Sequence, residues 1–224
     1  MPLIDIGTTE ENRSLHYCCI LFDSNYYDDS LFELLNVPFP AVLGSSVIKR
    51  RAEYVAARYA AQLILRKLGS AKNVGTAPDR EPIWPLGFCG SISHTNDKVI
   101  ALVSRQECNV SPGIDIEMLQ PSAMRETADI FTTNEERLIL KTCALHYEIA
   151  LLITFSAKES LYKSLYPKVR NFFGFEAAKV SNINCMDKTI TLELTRDLTS
   201  TYKKGAQFYG FYSLEDEMLM TLFV

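Results

Sequence analysis

The chain has 224 residues, 47% hydrophobic and 22% charged, and its 23 Lys and Arg against 27 Asp and Glu give a net charge of −4. That apolar content is too high for a disordered chain, and there is no global basic field to drive nucleic-acid binding by phosphate neutralisation. At about 150 residues per domain, the length suits one large domain or two small ones packed together.

In chain order, residues 15–22 read as a buried strand, and 23–46 as loop and short helix broken by Pro38 and Pro40. Residues 47–68 read as a long Ala-rich helix ended by Gly69. Pro78, Pro82 and Pro85 predict a rigid loop over 75–88, and Gly90 to Thr95 reads as turn-like. Short strands follow at 99–103 and 114–117, the second alternating apolar and acidic residues. After Pro121, helices are expected over 133–143, capped by Thr133 or Asn134, and over 147–166, ended by Pro167. Strand-like segments at 179–183, 189–194, 207–212 and 218–224 complete the chain. Each half thus holds a long helix plus several strands, which predicts an α+β protein of two similar lobes joined near 105–113.

The six cysteines form no CxxC pair and there are three histidines, so a structural zinc site is not expected. Residues 1–13 lack a basic start followed by an apolar stretch, so no signal peptide is expected. Apolar runs such as Ile149 to Ile153 fall far short of a membrane span. A cytoplasmic protein with free thiols is the expectation.

Four local features carry chemistry. In Gly113-Ile-Asp-Ile-Glu117, period two puts Asp115 and Glu117 on one strand face. Like charges this close repel, and a hard divalent cation such as Mg²⁺ relieves them. Read alone, the segment fits an edge strand with a solvated acidic face as well. In Phe155-Ser-Ala-Lys-Glu-Ser-Leu-Tyr-Lys163, Glu159 and Lys163 share a helix face at i, i+4, on a helix apolar enough to be packed. Gly90-Ser-Ile-Ser-His94-Thr95 offers close-approaching backbone and several donors to a phosphate. Lys49-Arg50-Arg51 with Arg58 forms a basic helix stripe, to which Arg80 is a candidate addition. Neither a GxxxxGK[ST] loop nor a GxGxxG turn is present, which excludes a P-loop enzyme and argues against a Rossmann dinucleotide site.

The order and spacing of these motifs resemble the larger, pseudodimeric 4′-phosphopantetheinyl transferases, above all their bacterial enterobactin-synthesis (siderophore) branch. The residues concerned are Lys49-Arg50-Arg51-Ala-Glu53 with Arg58, Arg80-Glu-Pro-Ile-Trp-Pro85, Gly90-Ser-Ile-Ser-His94, Gly113-Ile-Asp-Ile-Glu117, and Phe155-Ser-Ala-Lys-Glu-Ser160 with Lys163. Many relatives carry Trp where this chain has Phe155.

The resemblance implies two lobes related by a pseudo-two-fold, residues 1–112 and 113–224, each a small mainly antiparallel sheet on a long helix, with the active site in a cleft between them. It implies a monomeric enzyme that moves phosphopantetheine from coenzyme A to a serine of an apo peptidyl, aryl or acyl carrier protein, with Mg²⁺, releasing adenosine 3′,5′-bisphosphate. By position, Asp115, Glu117 and Glu159 would be metal ligands, with Glu159 also the base for the serine. Lys163 would act on the pyrophosphate with Lys158 beside it. Ser93 and His94 would contact coenzyme A phosphates, and Arg50, Arg58 and Arg80 the adenosine end with its 3′-phosphate. General fatty-acid carrier activation, a non-catalytic coenzyme A-binding protein and a metal-dependent phosphoesterase are the alternatives. Because the chain is acidic and many carriers are too, docking is expected through an apolar patch around Phe131 and residues 167–175, with Phe172, Phe173 and Phe175.

Overall fold

A computed structural model describes residues 4–108, 110–215 and 217–224. The chain separates into two compact units, Met1–Pro112 and Gly113–Val224. Both are α+β, and both are built on an antiparallel sheet and one long helix.

In the first unit, β1 (Ile4–Thr8), β2 (His16–Leu21), α1 (Ser30–Leu34), α2 (Ile48–Lys67), β3 (Gly75–Thr76), β4 (Pro82–Ile83), β5 (Phe88–His94) and β6 (Lys98–Arg105) follow one another. The main sheet has the order β1-β2-β6-β5, every neighbour antiparallel. Helix α2 forms because its interior has no Gly or Pro and its alanines cost no side-chain entropy. Ala56, Ala57, Ala60 and Ala61 let it lie close on Val99, Ala101 and Val103 of β6, with Ile64 and Leu65 filling the far end. It stops at Gly69, whose φ of +86° closes the helix as Ser70 N–H reaches Leu65 C=O and Gly69 N–H reaches Arg66 C=O.

Two loop expectations change here. The stretch from Gly90 is a strand, hairpinned to β6. Its Gly and Ser content reads as a turn, yet Phe88 and Ile92 alternate onto the α2 core, and period two decides. Gly90 is small because the Trp84 ring lies on it: a Cβ there would sit 2.6 Å from the ring and 2.2 Å from Leu102 C=O. The proline-rich loop contains a two-residue ladder, β3 with β4, closed by a turn with Arg80 at φ +73°.

In the second unit the order is β7 (Gly113–Met118), α3 (Pro121–Phe131), α4 (Asn134–Thr142), α5 (Tyr147–Val169), β8 (Ala178–Asn184), β9 (Thr189–Leu194), β10 (Gln207–Glu215) and β11 (Met218–Phe223). The sheet runs β7-β11-β10-β9-β8, all antiparallel, so the acidic strand is an edge. Thr133 and Glu136 make a reciprocal capping box for α4. Helix α3, absent from the sequence expectation, starts on Pro121 and buries only Ala128 and Phe131, too thin a stripe to show as periodicity. Helix α5 runs past Pro167 to Val169 and ends where Arg170 takes φ +57°. Near the helix end, the bond that proline cannot make is a small loss.

The expected apolar docking patch is largely core. Phe131 and Phe173 are buried with Phe155 and Phe175 packed against them, and Phe172 alone of the four named aromatics stands out, 80% exposed.

Candidate active site

In the second unit, a candidate cluster is made where β7 meets α5. Gly113, Asp115 and Glu117 share a strand face by period two. The strand passes so close to the helix that a Cβ on Gly113 would lie 1.9 Å from Ser160 C=O and 2.7 Å from Ser164 N. That approach sets Lys163 Nζ 2.8 Å from Asp115 Oδ1 and 3.0 Å from Ile114 C=O. The rotation of α5 is fixed by hydroxyls: Ser156 Oγ and Ser160 Oγ lie 2.8 Å and 2.7 Å from Thr221 Oγ1 on β11, and Ser160 also donates to Thr221 C=O. Thr221 is the register partner of Asp115, so helix and acidic strand are pinned through the same rung.

The electrostatics follow from burial. Asp115 is 4% exposed. Burial, with Asp115 and Glu159 adding and Lys163 opposing, pushes the Glu117 carboxyl up to about 7. Burial also raises Glu159, with Lys163 opposing and Asp115 adding. Three carboxylates therefore share one field with a single ammonium. Among the described residues no three His, Cys, Asp or Glu side chains are already gathered as a metal cage. The donor chemistry still suits a hard cation: all oxygen, over-negative, and half open, and Mg²⁺ binds through one or two carboxylates with waters and substrate phosphates rather than in an all-protein cage.

Lys158 requires a correction. It lies on another face of α5, and its Nζ is 2.8 Å from Glu136 Oε1 and donates to Phe131 C=O at 2.8 Å and Phe175 C=O at 3.3 Å. Glu136 accepts in turn from Thr133 N–H and Val180 N–H. Lys158 thus ties α5 to α4 and β8, and its donors are spent on protein instead of a pyrophosphate. Glu136, its buried partner, gave no sequence signal beyond its place in the capping box.

In the first unit, a second candidate cluster lies where β5 meets the first turns of α2. Phe88, Gly90, Ile92 and His94 share one strand face, and the core contacts of Phe88 and Ile92 show that it faces α2. His94, the last of them, meets the helix start. Its Nε2 lies 2.9 Å from Arg50 Nη1 and 3.7 Å from Glu53 Oε2, and Arg50 Nη1 is 3.4 Å from the same carboxylate oxygen. Lys49 donates to Asn96 Oδ1 beside them. Ser93 is 4% exposed on the opposite strand face from His94, so the two adjacent residues do not converge.

The basic stripe also divides. Arg51 is caged by Leu43, Gly44 and Ser46 carbonyls and paired with Asp29, which fastens the loop before α2. Arg58 is 7% exposed, stacked 4.7 Å above the Tyr54 ring, with Nη2 donating to Gly75 C=O and Thr76 Oγ1. Burial lowers its pKa. Arg51 and Arg58 are therefore not one fork on a helix surface. Arg80 stands exposed on the β3–β4 turn. Glu53 is the residue whose role was missed; its i, i+3 spacing from Arg50 was the available signal.

No helix among the described residues is long and apolar enough to cross a membrane. Residues 39–104 match the 4′-phosphopantetheinyl transferase N-terminal domain and residues 111–214 the 4′-phosphopantetheinyl transferase superfamily. The chain is 37% identical over 164 residues to enterobactin synthase component D of Salmonella typhi, covering 73% of this chain and 67% of that protein. The protein of the same name from Escherichia coli K12 is 38% identical over 133 residues, 59% of this chain and 63% of that one. The 4′-phosphopantetheinyl transferase PptT of Mycobacterium tuberculosis is 31% identical over 143 residues, 62% of each. Taken with the acidic strand and the Glu/Lys helix it packs against, these matches make the chain a member of the 4′-phosphopantetheinyl transferase superfamily, and a transferase enzyme.

Proposed function

We propose that this enzyme transfers the phosphopantetheine arm of coenzyme A to a serine hydroxyl of an apo carrier protein and releases adenosine 3′,5′-bisphosphate. The pathway proposed is a siderophore or other non-ribosomal peptide synthase, in keeping with the enterobactin synthase relatives. The carrying observation is the β7–α5 contact, which sets Lys163 on Asp115 with Glu117 and Glu159 in the same field. The enzyme is proposed to act as a cytoplasmic monomer.

Glu159 takes the proton of the carrier serine, directly or through one water, as its oxygen attacks the β-phosphorus of the pyrophosphate. Its raised pKa makes it a stronger base than an ordinary carboxylate. The new bond is serine oxygen to phosphorus; the bond that breaks joins that phosphorus to the bridging oxygen, which leaves on adenosine 3′,5′-bisphosphate. Lys163 offers its ammonium to that departing oxygen and steadies Asp115 meanwhile. Arg50 and His94 hold coenzyme A phosphates, with Arg58 and Arg80 toward the adenosine end, while Ser93, buried on the other strand face, backs the strand rather than the phosphates. Asp115, Glu117 and Glu159 would hold Mg²⁺, which supplies neutralisation of the pyrophosphate charge.

Incubating the protein with coenzyme A, Mg²⁺ and apo carriers, one peptidyl and one fatty-acid, tests this by intact-mass spectrometry. A gain of one phosphopantetheine, faster on the peptidyl carrier and lost with chelator, is expected. Coenzyme A hydrolysis with no carrier change would reject it.

A further inference from the structure

Glu53 is a buried carboxylate, 7% exposed, within two turns of the start of α2. Among the described residues its side chain has two polar partners, Arg50 at 3.4 Å and His94 at 3.7 Å. The contrast with Glu136 is informative. That carboxylate, more buried still at 2%, accepts two backbone N–H bonds and a lysine, and so has a complete structural role. Among the described residues Glu53 takes no backbone donor, and its charge falls on Arg50, 44% exposed in its side chain, which donates on to His94, 34% exposed.

The hydrogen-bond chemistry gives this a direction. A guanidinium only donates, so in the 2.9 Å contact His94 Nε2 accepts from Arg50 and the ring proton sits on Nδ1. A free arginine has rotamer freedom that must be lost whenever it grips an anion. Glu53, on the same helix, holds Arg50 Nη1 beside His94 on a side chain that stays 44% exposed.

We propose that Glu53 is a positioning residue: it orders Arg50 and His94 as a pair for a terminal phosphate monoester of the cosubstrate, the 3′-phosphate of coenzyme A. This rests on the reading above that Arg50 and His94 bind coenzyme A phosphates. Glu53 itself touches no substrate. Its carboxylate is a repulsive charge near an anion, so its replacement by a neutral isostere separates ordering from charge.

The test is calorimetric titration of the full chain with coenzyme A and with 3′-dephospho-coenzyme A, wild type against Glu53→Gln. Wild type is expected to favour coenzyme A. Glu53→Gln is expected to lose about tenfold in coenzyme A affinity, the size of a lost charge-assisted contact, and less than about twofold for the dephospho form. In transfer assays KM for coenzyme A rises by about the same factor while kcat falls no more than about threefold. In a His94→Ala background the Glu53 change adds less than about twofold, which a merely structural role would not produce. Should Glu53→Gln not fold, Glu53→Asp, which draws the charge back by one bond, is expected to lose about threefold of the preference for coenzyme A. A Glu53→Gln or Glu53→Asp protein with the wild-type preference, or a tighter grip on coenzyme A, overturns the positioning role alone. A wild type indifferent to the 3′-phosphate overturns the reading of Arg50 and His94 and the proposal with it.

Discussion

The β7–α5 contact and the β5–α2 contact are made alike and charged in reverse. In each, a strand of small and apolar residues alternates onto a long helix and delivers a polar side chain to it. On β7 and α5, Lys163 pairs with Asp115 while Glu117 and Glu159 feel the same field. On β5 and α2, an arginine and a histidine surround one carboxylate, Glu53. The first cluster is over-negative and its carboxyls are pushed upward, so it gains from a cation or a proton. The second sets Arg50, with Lys49 beside it, against the one carboxylate Glu53, and gains from an anion. One packing scheme thus supports two opposite binding chemistries, and the lone counter-charge in each is the place to break it.

The largest effect is expected from Lys163→Ala. Asp115, 4% exposed, loses its 2.8 Å partner, and in the proposed mechanism the departing phosphate loses a donor. Turnover measured by carrier mass shift is expected to fall roughly 10²–10³-fold, the loss typical of one preorganised donor. A fall below tenfold would remove Lys163 from the chemistry.

Lys158→Met is the control four positions after Thr154 on the same helix. It strands the buried Glu136 carboxylate, and breaking one side of such a pair costs about 3–5 kcal/mol. Chemical denaturation should show that loss while coenzyme A affinity stays within about twofold, since the Lys158 donors are spent on Glu136 and two carbonyls. Unchanged stability with a large affinity loss would return Lys158 to the ligand.

A smaller effect is expected from pH. The Glu117 carboxyl stands at about 7 in the fold against 4.5 ordinarily. The folded state then binds more protons than the unfolded one between those values, so this group's contribution to stability is full below 4.5 and is lost as pH climbs toward 7. With chelator present, the stability difference between wild type and Glu117→Gln should drift against wild type over that window. Added Mg²⁺ should stabilise wild type more at pH 8 than at pH 5. A flat difference would show that Glu117 titrates normally.

Much of this was readable beforehand because it depends on local period. The two long helices, the strand 114–117 and the shared face of Asp115 and Glu117 follow from spacing alone. Misreadings came where composition masked period, as in β5, whose Gly90 makes room for Trp84. They came also where partners are distant in sequence. The fate of Lys158 depends on Glu136, and that of Arg58 on Gly75 and Thr76. The helix spacing of charges shows which residues share a face but leaves open whether that face meets solvent or another element. Gly113 is the opposite case: a motif glycine whose reason, a helix carbonyl 1.9 Å from its absent Cβ, needed the fold to be visible.

The most direct test is single-turnover transfer by Glu159→Gln with coenzyme A already bound. Mutating a general base typically costs 10²–10⁴-fold, and a fall of about 10³-fold in carrier modification is expected, with coenzyme A affinity kept within about threefold and an unchanged thermal midpoint. Near-normal modification by this variant would contradict the role of the β7–α5 contact as the seat of the transfer.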